Sequence, residues 1–443
     1  MTTATTTTCA APMIVALPGA PKTLEETGLS VDLIVQLALK TLHFAGELTG
    51  SALGERLGLH YNAIQPAVDL LKSVRQIEIV GGSLLGGASF RYRITDSGRT
   101  RAALFLEQNR YVGLAPVPLA QYQAYMRAFT RDAPHSATRE RVRRAFSHLV
   151  VSDQILDQLG PAINAGRSLF IYGPPGNGKT VMAQAIRNLL EGEIAVPHAI
   201  EVEGHIVRVF DRINHEPVPI DERRGAFDGG SGHDARWIPC RRPLVTVGGE
   251  LTLEQMQLNP SPAGFYRAPL QAIANGGVLV IDDFGRQRCS PSELLNRWIV
   301  PLESRVDYLS LETGQMFELP FAALVVFATN LRPSELVDEA FLRRIHAKVF
   351  ALGPSAGEFG QIFEICCAAR GLAYDPALVS YLFDSFYRPR QVPLRGCHPR
   401  DLIDHALSLA DYRGEPRELT AELLDHACAV YFVDDRPVAQ PVL

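Results

Sequence analysis

The sequence lacks the features of a secreted, disulfide-bonded or membrane-spanning protein. Its seven cysteines are scattered, odd in number and free of any C-x-x-C pair, which argues against a disulfide framework or a zinc site. No apolar run approaches the ~18 residues of a membrane span. The threonine-rich N-terminus has no basic start, so we do not expect a secretory signal. We expect a cytoplasmic protein without a membrane span, with reduced thiols and a disordered tail over residues 1–22.

An excess of positive charge is also missing. The 443 residues carry 43 Lys and Arg against 48 Asp and Glu, which gives a net charge of −5. This balance argues against a globally basic nucleic-acid binder, although a local basic patch stays compatible with it. A chain of this length is expected to form two or three domains with buried cores.

The stretch SLFIYGPPGNGKT, residues 168–180, is typical of an apolar strand, a glycine-rich loop and the start of a helix. It satisfies G-x-x-x-x-G-K-[ST], in which backbone amides cradle phosphates, the lysine reaches the outer phosphates and the hydroxyl ligates magnesium. Glycine allows the backbone to approach an oxyanion closely, and the helix N-terminus adds a favourable dipole. The predicted nucleotide-binding residues are Gly173, Pro174, Pro175, Gly176, Asn177, Gly178, Lys179 and Thr180.

A second apolar run, residues 278–281, ends in Asp282 and Asp283. An all-apolar strand fits the interior of a parallel sheet, and ligands bind beyond the carboxyl ends of such strands. In a phosphate-loop ATPase the first acid holds magnesium and the next positions the attacking water. We therefore assign Thr180 and Asp282 to Mg²⁺ and Asp283 to water activation. The alternative is that the paired acids only cap the next helix.

With these segments the chain resembles an AAA+ ATPase from about Ser136 to its C-terminus. Three later segments add to the resemblance: FAALVVFATN (321–330), DEAFLRRI (338–345) and GCHPRDL (396–402). The segment VDYLSLETGQMFELP (306–320) also resembles the pre-sensor hairpin of the AAA+ branch that includes MoxR-like chaperones and enhancer-dependent activators.

The resemblance implies an α/β fold, with an AAA+ phosphate-loop core built on a parallel sheet and an α-helical lid. It implies ATP and Mg²⁺ as cofactors and a homo-oligomeric ring, expected to be a hexamer. Asn330 would orient the water, Arg343 or Arg344 would be an arginine finger for the adjacent subunit, and Arg400 would reach the phosphates from the lid. Family members usually carry glutamate where this chain has Asp283, which is one methylene shorter, so we expect slow hydrolysis.

Residues 23–112 show three helical patterns, a two-stranded hairpin pattern and a further helix, an order that resembles a winged helix-turn-helix domain. Residues 23–110 contain nine basic and nine acidic side chains, whereas DNA binding favours a positive face. DNA binding and protein docking or dimerisation therefore both stay open. The polar residues that a DNA contact would use are Asn62, Gln65, Lys72, Arg75, Arg91 and Arg93.

The predicted organisation places the winged-helix domain at 23–112, a linker at 113–135, the AAA+ core at 136–352 and the lid at 353–435. The stretch 191–250 is too long for one connection, so we expect an insertion there. The favoured function is an ATPase that remodels a protein client, with the N-terminal domain as adapter. The alternatives are a DNA-associated ATPase in transcription regulation, transposition or helicase loading, and a non-hydrolysing ATP switch.

Overall fold

The structure is a computed structural model that describes residues 17–82, 86–132, 137–166, 168–190, 192–219, 232–336 and 339–432. The chain divides into two compact units. The first holds the described residues within Met1–His135, Leu190–Ile281 and Arg286–Val325, and the second holds those within Ser136–Leu189, Asp282–Gly285 and Val326–Leu443. In this part of the chain, no helix combines the length and the apolar character needed to cross a bilayer.

The α-helices of the described residues are Leu24–Thr27, Val31–Ala45, Gly50–Leu57, Tyr61–Ser73, Asp96–Gln108, Leu119–Asp132, Arg139–Ala145, Asp153–Asn164, Lys179–Ala185, Leu270–Ile273, Pro291–Ser304, Pro333–Leu336, Glu339–Leu342, Ala356–Ala368, Pro376–Leu382, Arg388–Arg390, His398–Arg413 and Ala421–Tyr431. The strands are β1 (Glu47–Thr49), β2 (Ile77–Gly81), β3 (Arg91–Ile94), β4 (Val117–Pro118), β5 (Ser168–Tyr172), β6 (Glu193–Pro197), β7 (Ala199–Val202), β8 (His205–Arg208), β9 (Trp237–Arg241), β10 (Leu244–Val247), β11 (Asn259–Pro260), β12 (Tyr266–Arg267), β13 (Val278–Ile281), β14 (Val306–Ser310), β15 (Met316–Pro320), β16 (Leu324–Thr329) and β17 (Ala347–Phe350).

The two apolar runs singled out in the sequence are strands of one five-stranded sheet, ordered β10-β13-β16-β5-β17. Strands β10 and β13 pair in parallel, and so do β17 and β5. Every residue of β13 and β16 is buried, because a strand inside such a sheet is covered on both faces. The predicted α/β fold with a parallel sheet is confirmed.

The second unit ends in a bundle of helices, at the place where the sequence predicts a lid. Its longer helices, Ala356–Ala368, His398–Arg413 and Ala421–Tyr431, enclose an apolar core that includes Phe359, Phe363, Leu402, Ile403 and Leu424. Ser355 caps the first of these helices by accepting a hydrogen bond from the amide of Glu358, while the Glu358 side chain accepts one from the Ser355 amide. This reciprocal cap fixes the start of the first helix of the bundle.

The N-terminal region of the first unit contains an antiparallel sheet of order β1-β3-β2. Helices Val31–Ala45, Gly50–Leu57, Tyr61–Ser73 and Asp96–Gln108 surround it, and their apolar faces share one core. The hydrogen-bonded hydroxyls of Tyr61 and Tyr92, 2.9 Å apart, lie inside this core. The hairpin strands β2 and β3 were predicted from the sequence. Strand β1 was not, because three residues are too few to show an alternating pattern.

The segment predicted to be the linker 113–135 is largely structured. It contains the helix Leu119–Asp132, in which Tyr122, Met126 and Phe129 are buried in the core of the first unit. These three side chains recur at i, i+4 and i+7 and therefore share one helix face. Pro116 and Pro118 precede this helix and do not interrupt it, since the helix begins at Leu119.

The expected insertion, residues 191–250, is a set of short strands where the structure describes it. Strands β7 and β8 belong to a second five-stranded sheet, ordered β11-β12-β8-β7-β4, and β6 pairs with β9. Strands this short, several of them buried on both faces, leave no clear periodicity in the sequence. Residues 220–231 of this stretch lie outside the described residues.

Residues 17–22 differ from the predicted disordered tail, of which residues 1–16 lie outside the described residues. Pro18 accepts a hydrogen bond from the Asp234 amide at 2.8 Å, and Asp234 pairs with Arg236 in the protein interior. The Arg236 guanidinium also donates to the carbonyl oxygens of Thr27 and Pro116, at 3.2 Å each. One buried arginine therefore holds together three stretches that are far apart in the sequence.

We expect Arg236→Leu to lower the free energy of unfolding by about 3–5 kcal/mol, because the carboxylate of Asp234 would be left buried without its partner. The exposed pair of Arg241 and Glu216, 3.4 Å apart, provides the control Arg241→Leu, which should cost less than about 1 kcal/mol. Urea unfolding of both variants measures the difference. Equal losses would contradict the structural role given to Arg236.

Candidate functional site

The glycine-rich loop connects β5 to the helix Lys179–Ala185 and is backed by another part of the second unit. Gly173 and Gly176 have φ of 144° and 82°, a region that favours glycine. A Cβ at Gly173 would lie 2.7 Å from the carbonyl oxygen of Ala351, and one at Gly176 would lie 2.4 Å from the sulfur of Cys397. Both glycines are therefore required by backbone conformation and by the atoms that touch them.

Lys179 begins the helix and points back over the loop. Its ammonium donates to the carbonyl oxygens of Gly173 and Pro174 at 3.0 and 2.8 Å. Burial lowers the pKa of Lys179 from its ordinary value of 10.5, whereas the charges of Asp282 and Asp283 act in the opposite direction. The lysine is thus a cation held beside the loop amides, with two acids close enough to affect it.

The acidic turn after β13 meets the helix that follows the loop. The Thr180 hydroxyl donates to Asp282 Oδ2 at 2.7 Å, although 102 residues separate the two in sequence. Asp283 has φ of 47°, and its Oδ1 accepts a hydrogen bond from Asn330 Nδ2 at 3.2 Å. The structure therefore brings Thr180, Asp282, Asp283 and Asn330 to one place.

Backbone contacts hold the acidic turn against the end of β16. The amide of Phe284 donates to the Ala328 carbonyl at 2.8 Å, and the Thr329 hydroxyl donates to the Phe284 carbonyl at 2.7 Å. These bonds place Asp283 next to Asn330, the residue that follows β16. The positive φ of Asp283, unusual for a residue other than glycine, is thereby stabilised on both sides.

Hydroxyl and carboxylate oxygens are the ligands that Mg²⁺ prefers. Thr180 and Asp282 present one of each within hydrogen-bond distance, so their side chains fit this ion. No group of three or more His, Cys, Asp or Glu suited to a metal occurs among the described residues. Two protein ligands nevertheless suffice for Mg²⁺, which keeps several waters and takes further oxygens from phosphates.

A cleft of about 860 Å³ opens over these residues, entirely within the second unit. Its polar part contains Lys179, Thr180, Asp282, Asp283 and Asn330. Its apolar part was not predicted from the sequence and is formed by Leu149, Val150, Val151, Ile155, Leu352, Ile362 and Ile365. The only sequence signal for this wall is the apolar run 149–151 just before Ser152, which caps the next helix. A cleft with one polar and one apolar end suits a ligand with a charged group and a flat apolar ring.

The predicted arginines are placed differently from one another. Arg400 lines the cleft, and its guanidinium is bound by Asp401, with Nε 2.8 Å from Oδ1. That interaction raises the pKa of Arg400 above its ordinary value. Arg343 is exposed and pairs with Glu339 at 3.2 Å, and neither Arg343 nor Arg344 contributes to the lining of the cleft. Within one chain, the structure therefore does not bring these two arginines to the other predicted residues.

Comparison with known proteins gives three kinds of similarity. Residues 355–430 match a family model described as a domain of unknown function, DUF8689. An ATP-dependent zinc metalloprotease FtsH from Acidothermus cellulolyticus is 26% identical over 339 residues, which cover 76% of this chain and 39% of that protein. This chain thus spans about two-fifths of the length of the relative it matches. The similarity is to part of a protein whose name describes it as ATP-dependent.

Two solved structures also show a distant similarity to this chain. The RuvB Holliday junction branch migration motor of Thermotoga maritima has a TM-score of 0.37 at 14% identity, covering 65% of this chain and 72% of that one. NtrX from Brucella abortus has a TM-score of 0.38 at 14% identity, covering 74% of this chain and 59% of that one.

The FtsH relative is named a zinc metalloprotease, a class that binds zinc through H-E-x-x-H. The printed sequence contains no H-E-x-x-H. The similarity to that protein therefore does not include a zinc-binding motif of this kind.

We expect Lys179→Ala to lower ATP affinity at least about a hundredfold, because a charge-assisted contact to phosphate is lost from a partly buried site. Lys348→Ala is the matched control, since Lys348 is an exposed lysine on β17 of the same sheet and donates only to a backbone carbonyl. Fluorescence titration with a labelled ATP analogue compares the two. Retained affinity in Lys179→Ala would refute the phosphate-loop assignment.

Proposed function

We propose that this AAA+ protein binds and hydrolyses ATP with Mg²⁺ and uses the cycle to remodel a protein partner as a homo-oligomer. The observation that carries the proposal is the meeting of the phosphate loop and the acidic turn, joined by the hydrogen bond from Thr180 to Asp282. Phosphate-loop ATPases need these two elements at one place, because the nucleotide and its metal are bound between them.

In this proposal the loop amides of residues 173–180 and the ammonium of Lys179 hold the phosphates. Thr180 and Asp282 would hold Mg²⁺, which neutralises charge on the β- and γ-phosphates. Asp283 and Asn330, already hydrogen-bonded to each other at 3.2 Å, are suited to orient the attacking water between a carboxylate and an amide. The aspartate carboxylate lies closer to the backbone than a glutamate would, so we expect slow turnover.

The apolar end of the cleft supports a base-binding role. Leu149, Val150 and Val151 form one side, and Ile362 and Ile365 of the helix Ala356–Ala368 form the other. Ile365 lines the cleft and is 50% exposed, so a flat purine bound there would cover apolar surface. Both sides belong to the second unit, so the nucleotide would contact the sheet end and the helical bundle together.

Oligomerisation follows from the positions of Arg343 and Arg344. An arginine finger stabilises charge on the transferring phosphoryl group and can raise the rate by about 10³–10⁵. The hydroxyl of Ser168, the first residue of β5, donates to the Arg344 carbonyl at 3.2 Å. Arg344 therefore lies at the end of β5 opposite the phosphate loop, and neither arginine lines the cleft of its own chain. In the proposed ring, a neighbouring protomer would supply the arginine finger that the chain itself does not place in its own cleft.

The N-terminal region favours a protein partner over DNA. Three of the four cations that a DNA contact would use are paired with acids of the same region: Lys72 with Asp69 at 2.7 Å, Arg91 with Glu47 at 3.2 Å and Arg93 with Glu78 at 2.7 Å. Phosphate contacts would have to compete with these pairs. Leu70, Val74, Ile79 and Val80 are at the same time between 38% and 50% exposed, which suits contact with another protein.

These ion pairs also support one use of the proposed winged helix over the other. The region has the order of helices and strands that such domains show, and we propose that it serves as an adapter for the client. DNA-associated activity in transcription regulation, transposition or helicase loading stays the alternative and has less support, because it needs a positive face that internal pairs neutralise.

We expect Asp283→Asn to keep ATP binding and to lose at least about 100-fold in turnover, since the amide cannot accept the proton of the attacking water. Phosphate release and nucleotide affinity are measured on the same preparation. Asp375→Asn is a control at an exposed helix cap of the lid, with turnover expected to be unchanged. Unchanged turnover in Asp283→Asn would mean that another group activates the water or, if wild type is also inactive, that the chain is a non-hydrolysing switch.

The same Asp283→Asn variant, loaded with ATP, is suited to capture the partner. A protein that binds to Asp283→Asn with ATP, and does not bind to Lys179→Ala under the same conditions, would support remodelling. Retention of DNA in the same two-variant comparison would favour the DNA-associated alternative, and it should then weaken steeply with added salt.

For the arginines we expect complementation between protomers. Subunits carrying Arg343→Ala and Arg344→Ala have an intact phosphate loop, and Lys179→Ala subunits have intact arginines, so mixed oligomers should recover part of the ATPase activity. A donor that combines Lys179→Ala with both arginine substitutions is the control and should restore nothing. Failure of the first mixture, in oligomers shown to assemble, would count against a finger supplied in trans.

A further inference from the structure

The second five-stranded sheet places two arginines side by side. In the parallel pairing of β8 with β12, Arg208 lies beside Arg267 and Val207 lies beside Tyr266. Successive side chains of a strand point to opposite faces, so the two arginines share one face and the buried Val207 and Tyr266 share the other. Both arginines are exposed. Two like charges on strands about 4.8 Å apart repel each other, so this pair does not stabilise the sheet.

A third exposed arginine, Arg212, lies near this pair. It belongs to the turn that follows β8. Burial lowers the pKa of His198 to about 4, and the charges of Arg208 and Arg212 act in the same direction. Both arginines are therefore close to the same histidine.

Arg110 is held to the same sheet by its backbone. Its amide donates to the Ala263 carbonyl at 2.7 Å, in the turn between β11 and β12. The ring of the next residue, Tyr111, contacts that of Phe265, with centroids 5.8 Å apart. Burial raises the pKa of Tyr111 to about 12, and the charge of Arg208 acts in the opposite direction. We call four exposed residues of this neighbourhood the arginine cluster: Arg110, Arg208, Arg212 and Arg267.

Within the part of the chain that the structure describes, the arginine cluster has no acidic partner. Other arginines of the same unit do have one: Arg236 lies 2.8 Å from Asp234, and Arg297 lies 2.6 Å from Asp307. The exposed arginines of β3 are paired as well. The arginine cluster is therefore positive charge that the fold does not neutralise, and it is available to an external anion.

The neighbours of the arginine cluster favour a peptide over a nucleic acid. Ile213 follows Arg212 and is 91% exposed, and Val112 is also exposed. A peptide can cover such aliphatic side chains, whereas a sugar-phosphate backbone would leave them in water. Bases of a single strand would need aromatic rings on which to stack, but Tyr111 and Tyr266 beside the cluster are buried.

We propose that the arginine cluster binds an acidic segment of a partner protein, whose carboxylates pair with the guanidinium groups and whose apolar side chains cover Ile213 and Val112. The observation that carries the proposal is the exposed pair of Arg208 and Arg267. A guanidinium is a planar fork that binds a carboxylate through two hydrogen bonds, which suits arginine to this ligand. The cluster lies within the first unit, so the proposal goes beyond the proposed ATPase and does not depend on its nucleotide site.

The experiment is fluorescence anisotropy of the full chain, without nucleotide, using a labelled peptide of repeated Glu-Glu-Leu units. The double variant Arg208→Gln, Arg267→Gln should bind this peptide about 3- to 30-fold more weakly, as expected for the loss of two exposed ion pairs. Added salt should also weaken binding to the wild type, because it screens exposed charges. A peptide of Gln-Gln-Leu units, which lacks the carboxylates, should bind the wild type more weakly than the acidic peptide does.

Two further double variants serve as controls. Arg56→Gln, Arg99→Gln removes the same charge from two exposed arginines outside the cluster and should bind the acidic peptide like the wild type. Arg208→Lys, Arg267→Lys keeps the charge without the planar fork and should retain part of the binding. Circular dichroism melting of each variant checks that it folds.

Equal binding of the acidic peptide by the wild type and by Arg208→Gln, Arg267→Gln would overturn the proposal. An equal loss in Arg56→Gln, Arg99→Gln would also overturn it, since net charge alone would then explain the result. The second probe is a labelled single-stranded thymidine oligonucleotide. If it binds more tightly than the acidic peptide and is weakened by Arg208→Gln, Arg267→Gln, the cluster is a nucleic-acid surface and the proposal is wrong.

Lys179→Ala separates this proposal from the proposed function. That variant should bind the acidic peptide like the wild type, because the peptide is measured without nucleotide. If it also binds ATP normally, the proposed function fails while the role of the arginine cluster stands.

Discussion

The candidate site depends on one contact, the hydrogen bond between the Thr180 hydroxyl and the carboxylate of Asp282. It joins the helix after the phosphate loop to the turn after β13, and it marks the place where a hydroxyl and a carboxylate can share a metal ion. Around it, the end of β16 holds Asp283 against Asn330 through backbone bonds of Phe284. The chemistry proposed here needs all of these groups at the carboxyl ends of neighbouring strands, which a parallel sheet provides.

The lid is connected to this arrangement through the phosphate loop. Gly176 and Asn177 are hydrogen-bonded to residues 396 and 397, and Gly173 packs against Ala351, just before the lid begins. Movement of the bundle would therefore change the loop, and a ligand that rearranges the loop would act on the bundle. This coupling gives the proposed ATPase a route from hydrolysis to domain motion, in which the domains close and open around the nucleotide.

The N-terminal region is held to the β-rich part of the first unit by buried groups. Arg236 contacts Asp234, Thr27 and Pro116 in the interior, so an adapter in this position would behave as one body with the strands around it. The neighbouring Lys40 is also buried and donates to the Asn109 carbonyl at 3.1 Å, and burial lowers its pKa to about 8. Such contacts make a freely tethered domain a poor description of this region.

The sequence by itself determined the elements whose chemistry depends on local spacing. The phosphate loop and the acids after an all-apolar strand were predicted because glycine spacing and apolar runs are local signals. The strand order of the parallel sheet was not predicted. The helix Leu119–Asp132 was also missed, because the prolines just before it suggested a linker. Strands as short as β1 and β7 carry too few residues for a period.

Only the tertiary structure decided which charges are available. Arg91, Arg93 and Lys72 look like a DNA footprint in the sequence, yet each is paired with an acid brought to it by folding. Arg400 was singled out by the sequence, but only the fold shows that Asp401 binds its guanidinium. The physical reason is that electrostatic interactions depend on distance and burial, and a linear pattern records neither.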